Sequence, residues 1–124
     1  MLRGEMTKNM DGCPVSKAMQ LLGGKWRLVI IGFLQERTMR FKELEREIGI
    51  ISPKMLTATL DEMEQDGLVT RTVTMQKPLK VEYALTELGR KSKPIIDELI
   101  RYGLMVNGVE LPAGEIVRPK GLDI

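Results

Sequence analysis

ISPKMLTATLDEMEQDGLV, residues Ile51 to Val69, starts and stops like a helix and divides its charge between the two ends. Ser52 offers a hydroxyl to the first free backbone N–H groups, and Pro53 sets the first turn. Leu56, Leu60 and Met63, at i, i+4 and i+7, form a stripe to be buried. At 100° per residue the opposite face is Lys54, Ala58, Asp61 and Gln65, with Thr57 on its flank. Gly67 ends the helix, and Leu68 and Val69 lead into a strand. Lys54, Thr57 and Thr59 precede four acids, Asp61, Glu62, Glu64 and Asp66. A helix charged in this way suits a DNA groove at one end only, which points to regulation rather than catalysis.

At 124 residues with 43% apolar content, the chain is the size of one domain with one core. Its 19 Lys and Arg against 17 Asp and Glu leave a net charge of +2, so nucleic-acid affinity depends on where charges lie. Residues 71–80 carry Arg71, Lys77 and Lys80 and no acid. There is no histidine and a single cysteine, Cys13, which excludes histidine acid–base catalysis, an intrachain disulfide and a Cys/His zinc site. The longest strongly apolar run, Leu28 to Leu34, is far shorter than the ~20 residues of a membrane span, and no cleavable signal pattern opens the chain. A cytoplasmic protein without metal, cofactor or membrane partner is expected, and the four acids read as a solvated helix face rather than an active site.

Working outward, residues 1–12 read as a polar arm. A helix follows from Pro14, carrying Val15, Ala18, Met19 and Leu22, and ends at Gly23-Gly24. Lys25 to Gln35 is apolar on most sides and marks a central buried helix, with Lys25 and Arg27 at its start. Trp26 is expected in the core. Met19, Met55, Met63 and Met105 fall in or beside apolar stripes, which favours packing over a Met-rich ligand pocket. Phe41, Leu44 and Ile48 give a short amphipathic helix closed by Gly49. Beyond the opening stretch, Leu68 to Met75 and Lys80 to Leu85 alternate as a hairpin with a basic, Pro-containing tip, Gln76 to Leu79. Thr86 caps a final helix with Leu88, Ile95, Ile96, Leu99, Ile100 and Leu104, interrupted and kinked at Pro94. That stripe is wider than one small core covers. The assignment is one domain over residues 1–124: arm 1–12, DNA-binding core about 13–86, terminal helix about 87–106 and tail 107–124.

Helix, helix and hairpin in this order meet the needs of duplex recognition. The N–H groups at the helix start and Ser52 face a phosphate, while the first two turns enter the major groove. Lys54 and Thr57 can contact base edges or phosphate, Met55 lies between them, and Ala58 can pack on a thymine methyl or permit close approach. Lys77 and Lys80 reach flanking backbone or minor groove. Arg40, Lys42 and Arg46, with Lys25 and Arg27, are candidate phosphate clamps. Taken singly, each cation is as readily an ordinary solvated charge.

Five blocks occur in order: Cys13-Pro14-Val15; Leu22-Gly23-Gly24-Lys25-Trp26; Phe41-Lys42-Glu43-Leu44; Ile51 to Thr57; and Val81-Glu82-Tyr83-Ala84-Leu85-Thr86-Glu87-Leu88-Gly89. Together they resemble the HxlR-type winged-helix transcription factors, relatives of the MarR group, over roughly residues 13–102. The resemblance implies an α+β, mainly α, winged helix-turn-helix with N- and C-terminal dimerisation helices. It also implies a recognition helix from Ser52 to Asp66, a wing from Met75 to Lys80, and a homodimer joined through Ile95, Ile96, Leu99, Ile100 and Leu104. Ala58 and Thr59 stand where relatives often carry a long polar side chain, so the bases read do not carry over. In a subset of the family the equivalent of Cys13 senses oxidants or electrophiles. Here a helix start and Lys17 one turn away would favour its thiolate, while the alternative is a small, partly buried cap residue.

The expected function is a homodimeric, sequence-specific DNA-binding regulator, a repressor on a pseudo-palindromic operator, with Cys13 its candidate sensor of oxidants or electrophiles. The competing expectation is a winged-helix module that binds another protein through the same face. No residues single out a small-molecule effector.

Overall fold

Prolines and capping hydroxyls set where the helices begin, and the apolar stripes set how they pack. The computed structural model describes residues 12–109, so the expected arm, apart from Gly12, and the tail beyond Val109 lie outside the described residues. Along the chain run α1 (Pro14–Leu22), α2 (Arg27–Leu34), β1 (Met39–Arg40), α3 (Phe41–Ile48), α4 (Pro53–Gln65), β2 (Val69–Thr74), β3 (Lys80–Leu85), α5 (Glu87–Arg90) and α6 (Lys93–Val106). The strands form one antiparallel sheet in the order β1-β3-β2, with Met39 opposite Tyr83 and Val69 opposite Leu85.

One core joins all these layers: Ile30, Ile31 and Leu34 of α2, Leu44 of α3, Leu56, Leu60 and Met63 of α4, Val69, Tyr83 and Leu85 of the sheet, and Ile96 of α6. Trp26 is partly buried against it. Of the methionines expected in stripes, Met63 is fully buried, whereas Met19, Met55 and Met105 remain about half exposed.

Three elements differ from the sequence expectation. β1 is new: two residues carry too little alternation to register as a strand, and Met39 becomes one only by pairing with Tyr83 and burying its side chain. The central helix begins at Arg27, with Lys25 in the bend before it. The terminal helix is two helices, not one kinked rod. α5 closes at Lys91, and Ser92, whose N–H donates to the Gly89 carbonyl, starts α6, placing Pro94 in a first turn where its missing N–H costs nothing. The Ser92 hydroxyl donates to the Gly89 carbonyl at 2.6 Å, fixing that corner.

Helix α3 is held at its start by Glu43, whose carboxylate accepts the Arg40 backbone N–H at 3.0 Å and the Arg37 guanidinium at 2.8 Å. Those two donors, the backbone one first, hold the carboxyl below its ordinary range.

Candidate nucleic-acid interface

The candidate recognition element is α4. The Ser52 hydroxyl accepts the Met55 N–H at 3.1 Å and the Ser52 carbonyl accepts the Leu56 N–H at 2.9 Å. Pro53 has no N–H, so the Lys54 N–H is left at the tip of the helix, where the dipole favours an anion. Lys54, Met55, Thr57 and Ala58 are exposed on the first two turns, while Leu56, Leu60 and Met63 are buried.

Thr59 departs from the expectation. Its side chain is buried, and its hydroxyl donates to the Met55 carbonyl one turn back at 2.7 Å. A β-branched hydroxyl on the core-facing side satisfies itself locally, so Thr59 belongs to the packing and not to the reading face. Asp61, Glu62 and Glu64 are exposed.

Asp66, the C-cap residue, is exposed like the other three acids but is paired. Its carboxylate takes an ion pair of 2.7 Å from Arg27, whose guanidinium also donates to the Leu21 carbonyl at 2.9 Å. The Arg27 side chain is only 14% exposed. Arg27 was expected to clamp phosphate; instead it ties the end of α1 to the end of α4, because the two N–H groups of its Nη1 serve a carbonyl and a carboxylate together. It is removed from the DNA-binding candidates as a positioning residue.

The other expected clamps are at the surface. Lys25 is exposed, with its ammonium 5.0 Å from the Trp26 ring centroid. Arg40 is exposed and contributes its backbone to the cap of α3. Lys42 pairs loosely with Glu45 at 3.6 Å, a contact that costs little to exchange for phosphate. Arg46 is exposed in the last turn of α3.

At Gly67, with φ +78°, the chain leaves α4 in the left-handed region that favours glycine. It then enters the hairpin of β2 and β3. Lys77 is exposed at the tip and Lys80 is half-buried at the first position of β3. The base of this wing is locked by Thr86. Its hydroxyl donates to the Gly67 carbonyl at 2.6 Å and accepts the Gly89 N–H at 3.1 Å, while its own N–H donates to the Leu68 carbonyl at 3.0 Å. Sequence reasoning took Thr86 only as a helix cap. The Thr-Glu-Leu-Gly run was the signal that it also fastens the wing to the exit of α4. The sequence reading also passed over exposed apolar residues bordering the interface, Ile50 between α3 and α4 and Met75 and Leu79 on the wing. Their signal was large apolar side chains in turns.

The terminal helix splits its stripe. Ile96, expected at an interface, is instead buried in the core, and Ile100 is partly buried against it, because α6 packs on α2 through that side. Ile95 and Leu99 stay about half exposed and, with Pro94, Tyr102 and Met105, line an apolar groove of about 660 Å³. Leu104 is half-buried. Val15 and Met19 of α1 are also exposed. Cys13 is the N-cap of α1, as expected, but its residue is 3% exposed and its side chain makes no cap bond.

A sequence profile of the HxlR-like helix-turn-helix family matches residues 21–109. An uncharacterized HTH-type transcriptional regulator of Halalkalibacterium halodurans is 46% identical over 98 residues, which cover 78% of this chain and 87% of that protein. Among solved structures, the redox regulator HypR in its oxidized form is similar with a TM-score of 0.71 at 40% identity, over 75% of this chain and 96% of that one. The reduced form of the transcriptional regulator YodB from B. subtilis is similar with a TM-score of 0.67 at 39% identity, over 73% and 90%.

Proposed function

The chain belongs to the HxlR-like helix-turn-helix family, and on that footing we propose that it is a cytoplasmic, homodimeric, sequence-specific DNA-binding transcriptional repressor without enzymatic activity. The observation that carries the DNA reading is the capped tip of α4, which leaves Lys54, Met55, Thr57 and Ala58 exposed on a helix seated by four buried residues and fastened to a basic wing. The half-exposed apolar face of α6 supports the dimer, since patches of that kind mark association surfaces. Two copies place two reading tips on one side of the duplex, so half-sites about one turn, roughly 34–36 Å, or a small multiple apart are expected. Selection of bound sequences from a random duplex pool tests this. A pseudo-palindrome with that spacing is the expected result, and a pool without sequence preference at moderate salt would remove the reading.

The likeness to a protein named a redox regulator supports an oxidant-responsive role for Cys13. With one cysteine per chain, oxidation must end in a bridge between two Cys13 residues of the dimer or in a mixed disulfide with a small thiol. Because the thiol is buried, α1 must shift for either product to form. Diamide is therefore expected to change operator affinity in the wild type and leave Cys13→Ser unaffected. Equal responses of the two proteins in a gel shift would reject the sensor.

A further inference from the structure

Along the wing, residues directly opposite each other share a face of the sheet. Val69 and Leu85 are buried at its base, Tyr83 follows with Arg71 opposite, and Val73 pairs with Val81 farther out. Met75 and Leu79 are the next residues of the same parity, one on each side of the tip. They lie just past the last paired residues, Thr74 and Lys80, where the alternation would extend the apolar face beyond the core, at 81% and 63% exposure. Short alternating strands need no large apolar side chains past the last residue they bury. Between and beside this pair stand Lys77, Pro78 and Lys80, and residues 71–80 contain no acid. The tip thus combines a hydrophobic pair with flanking cations, which fits a surface that is anionic at its edges and apolar within. A duplex minor groove has that character: phosphates on both rims, and sugar and base-stack surface between them.

We propose that Met75 and Leu79 form an apolar wedge that enters the minor groove beside each half-site and partly unstacks one base step, with Lys77 and Lys80 holding the two phosphate rims. This rests on the DNA-binding reading above and adds a second mode of recognition to it. The α4 tip reads base edges, while the wedge favours flanking sequence that is easily deformed, the pyrimidine–purine steps. The lysines alone account for a backbone clamp but not for the apolar pair beside them.

The test uses the full chain and its selected operator, with 2-aminopurine placed in turn at each flanking step. Wild type is expected to raise the probe's fluorescence at one step per half-site. The Met75→Ser/Leu79→Ser variant is expected to abolish the rise and weaken binding about tenfold, with the salt dependence unchanged because no phosphate contact is lost. A Met75→Leu/Leu79→Met exchange is expected to keep both the rise and the affinity. Circular dichroism melts of the serine variant should match wild type, since neither side chain is part of the core. Operator binding by wild type with a silent probe overturns the wedge alone, as does a double serine variant within twofold of wild-type affinity. A change of molecular mass in that variant by light scattering, with DNA binding intact, overturns it too, because the pair then meets a second copy. Failure of wild type to bind any duplex overturns both the wedge and the DNA reading.

Discussion

Alanine at Gly89 is expected to destabilise the fold by about 1–3 kcal/mol or more, the range for forcing a methyl group into packed structure. A Cβ built on Gly89 would lie 2.4 Å from the Leu68 carbonyl oxygen and 3.1 Å from a Leu85 methyl. The carbonyl cannot retreat freely, because it accepts the Thr86 N–H at 3.0 Å and lies at the junction of α4 and the wing. For a domain of this size each kcal/mol lowers the melting temperature by roughly 4–8 °C, so a fall on the order of 10 °C is expected in a thermal melt. Gly103 is the control. It lies inside α6, where an added Cβ meets nothing within 4 Å, and alanine there is expected to be neutral or stabilising by up to about 1 kcal/mol. Equal melting temperatures for Gly89→Ala and wild type would refute the close-approach argument. A Gly89 variant that still folds is expected to bind DNA poorly, since the wing is then no longer set relative to the reading tip.

Neutralising Lys54, Lys77 and Lys80 together by alanine is expected to weaken operator binding by a factor on the order of 100 to 1,000. Each lysine that meets a phosphate releases a counterion, contributing about 0.9 to the slope of log affinity against log salt. Two half-sites double the count, so the slope is expected to flatten by up to roughly 5. Lys91→Ala, which removes only a partner of Glu87 on α5, is expected to leave both quantities unchanged. Titration by fluorescence anisotropy at several salt concentrations measures them. A triple variant with wild-type affinity and slope would move the face from DNA to another protein.

The parts of the fold that were legible in the sequence are those written in local chemistry. Ser52-Pro53 and Gly67 delimit α4 to within a residue, because a capping hydroxyl, a fixed φ and a left-handed exit are needs of the backbone itself. The buried stripe Leu56, Leu60 and Met63 follows from helical period alone. The misreadings arose where the partner lies far along the chain. Arg27 looked like a cation for phosphate because its acid, Asp66, is 39 residues away, and the same separation hid the pairing of Asp66. Thr59 was misjudged on a shorter scale: its place at the edge of the apolar stripe was readable, but whether it faced the groove or the core depended on how closely α4 seats. β1 exists only through Met39 pairing with Tyr83, a contact no local pattern encodes. Ile96 and Ile95 are adjacent in sequence and alike in chemistry, yet one is core and the other surface, a division set by the direction from which α2 meets α6.

The pairing of Arg27 with Asp66 also bears on how the molecule arrives at its target. With that acid matched, Asp61, Glu62 and Glu64 remain exposed on the second half of α4, away from the cation at its start. A chain of net charge +2 therefore behaves in a polyanion's field less as a point charge than as a dipole, drawn at one end and repelled at the other. Long-range attraction is weak, but torque is not. On the proposed DNA-binding role, the encounter is expected to favour tip-first collisions before any base is touched, so salt is expected to act on orientation during association as well as on the strength of the final contacts.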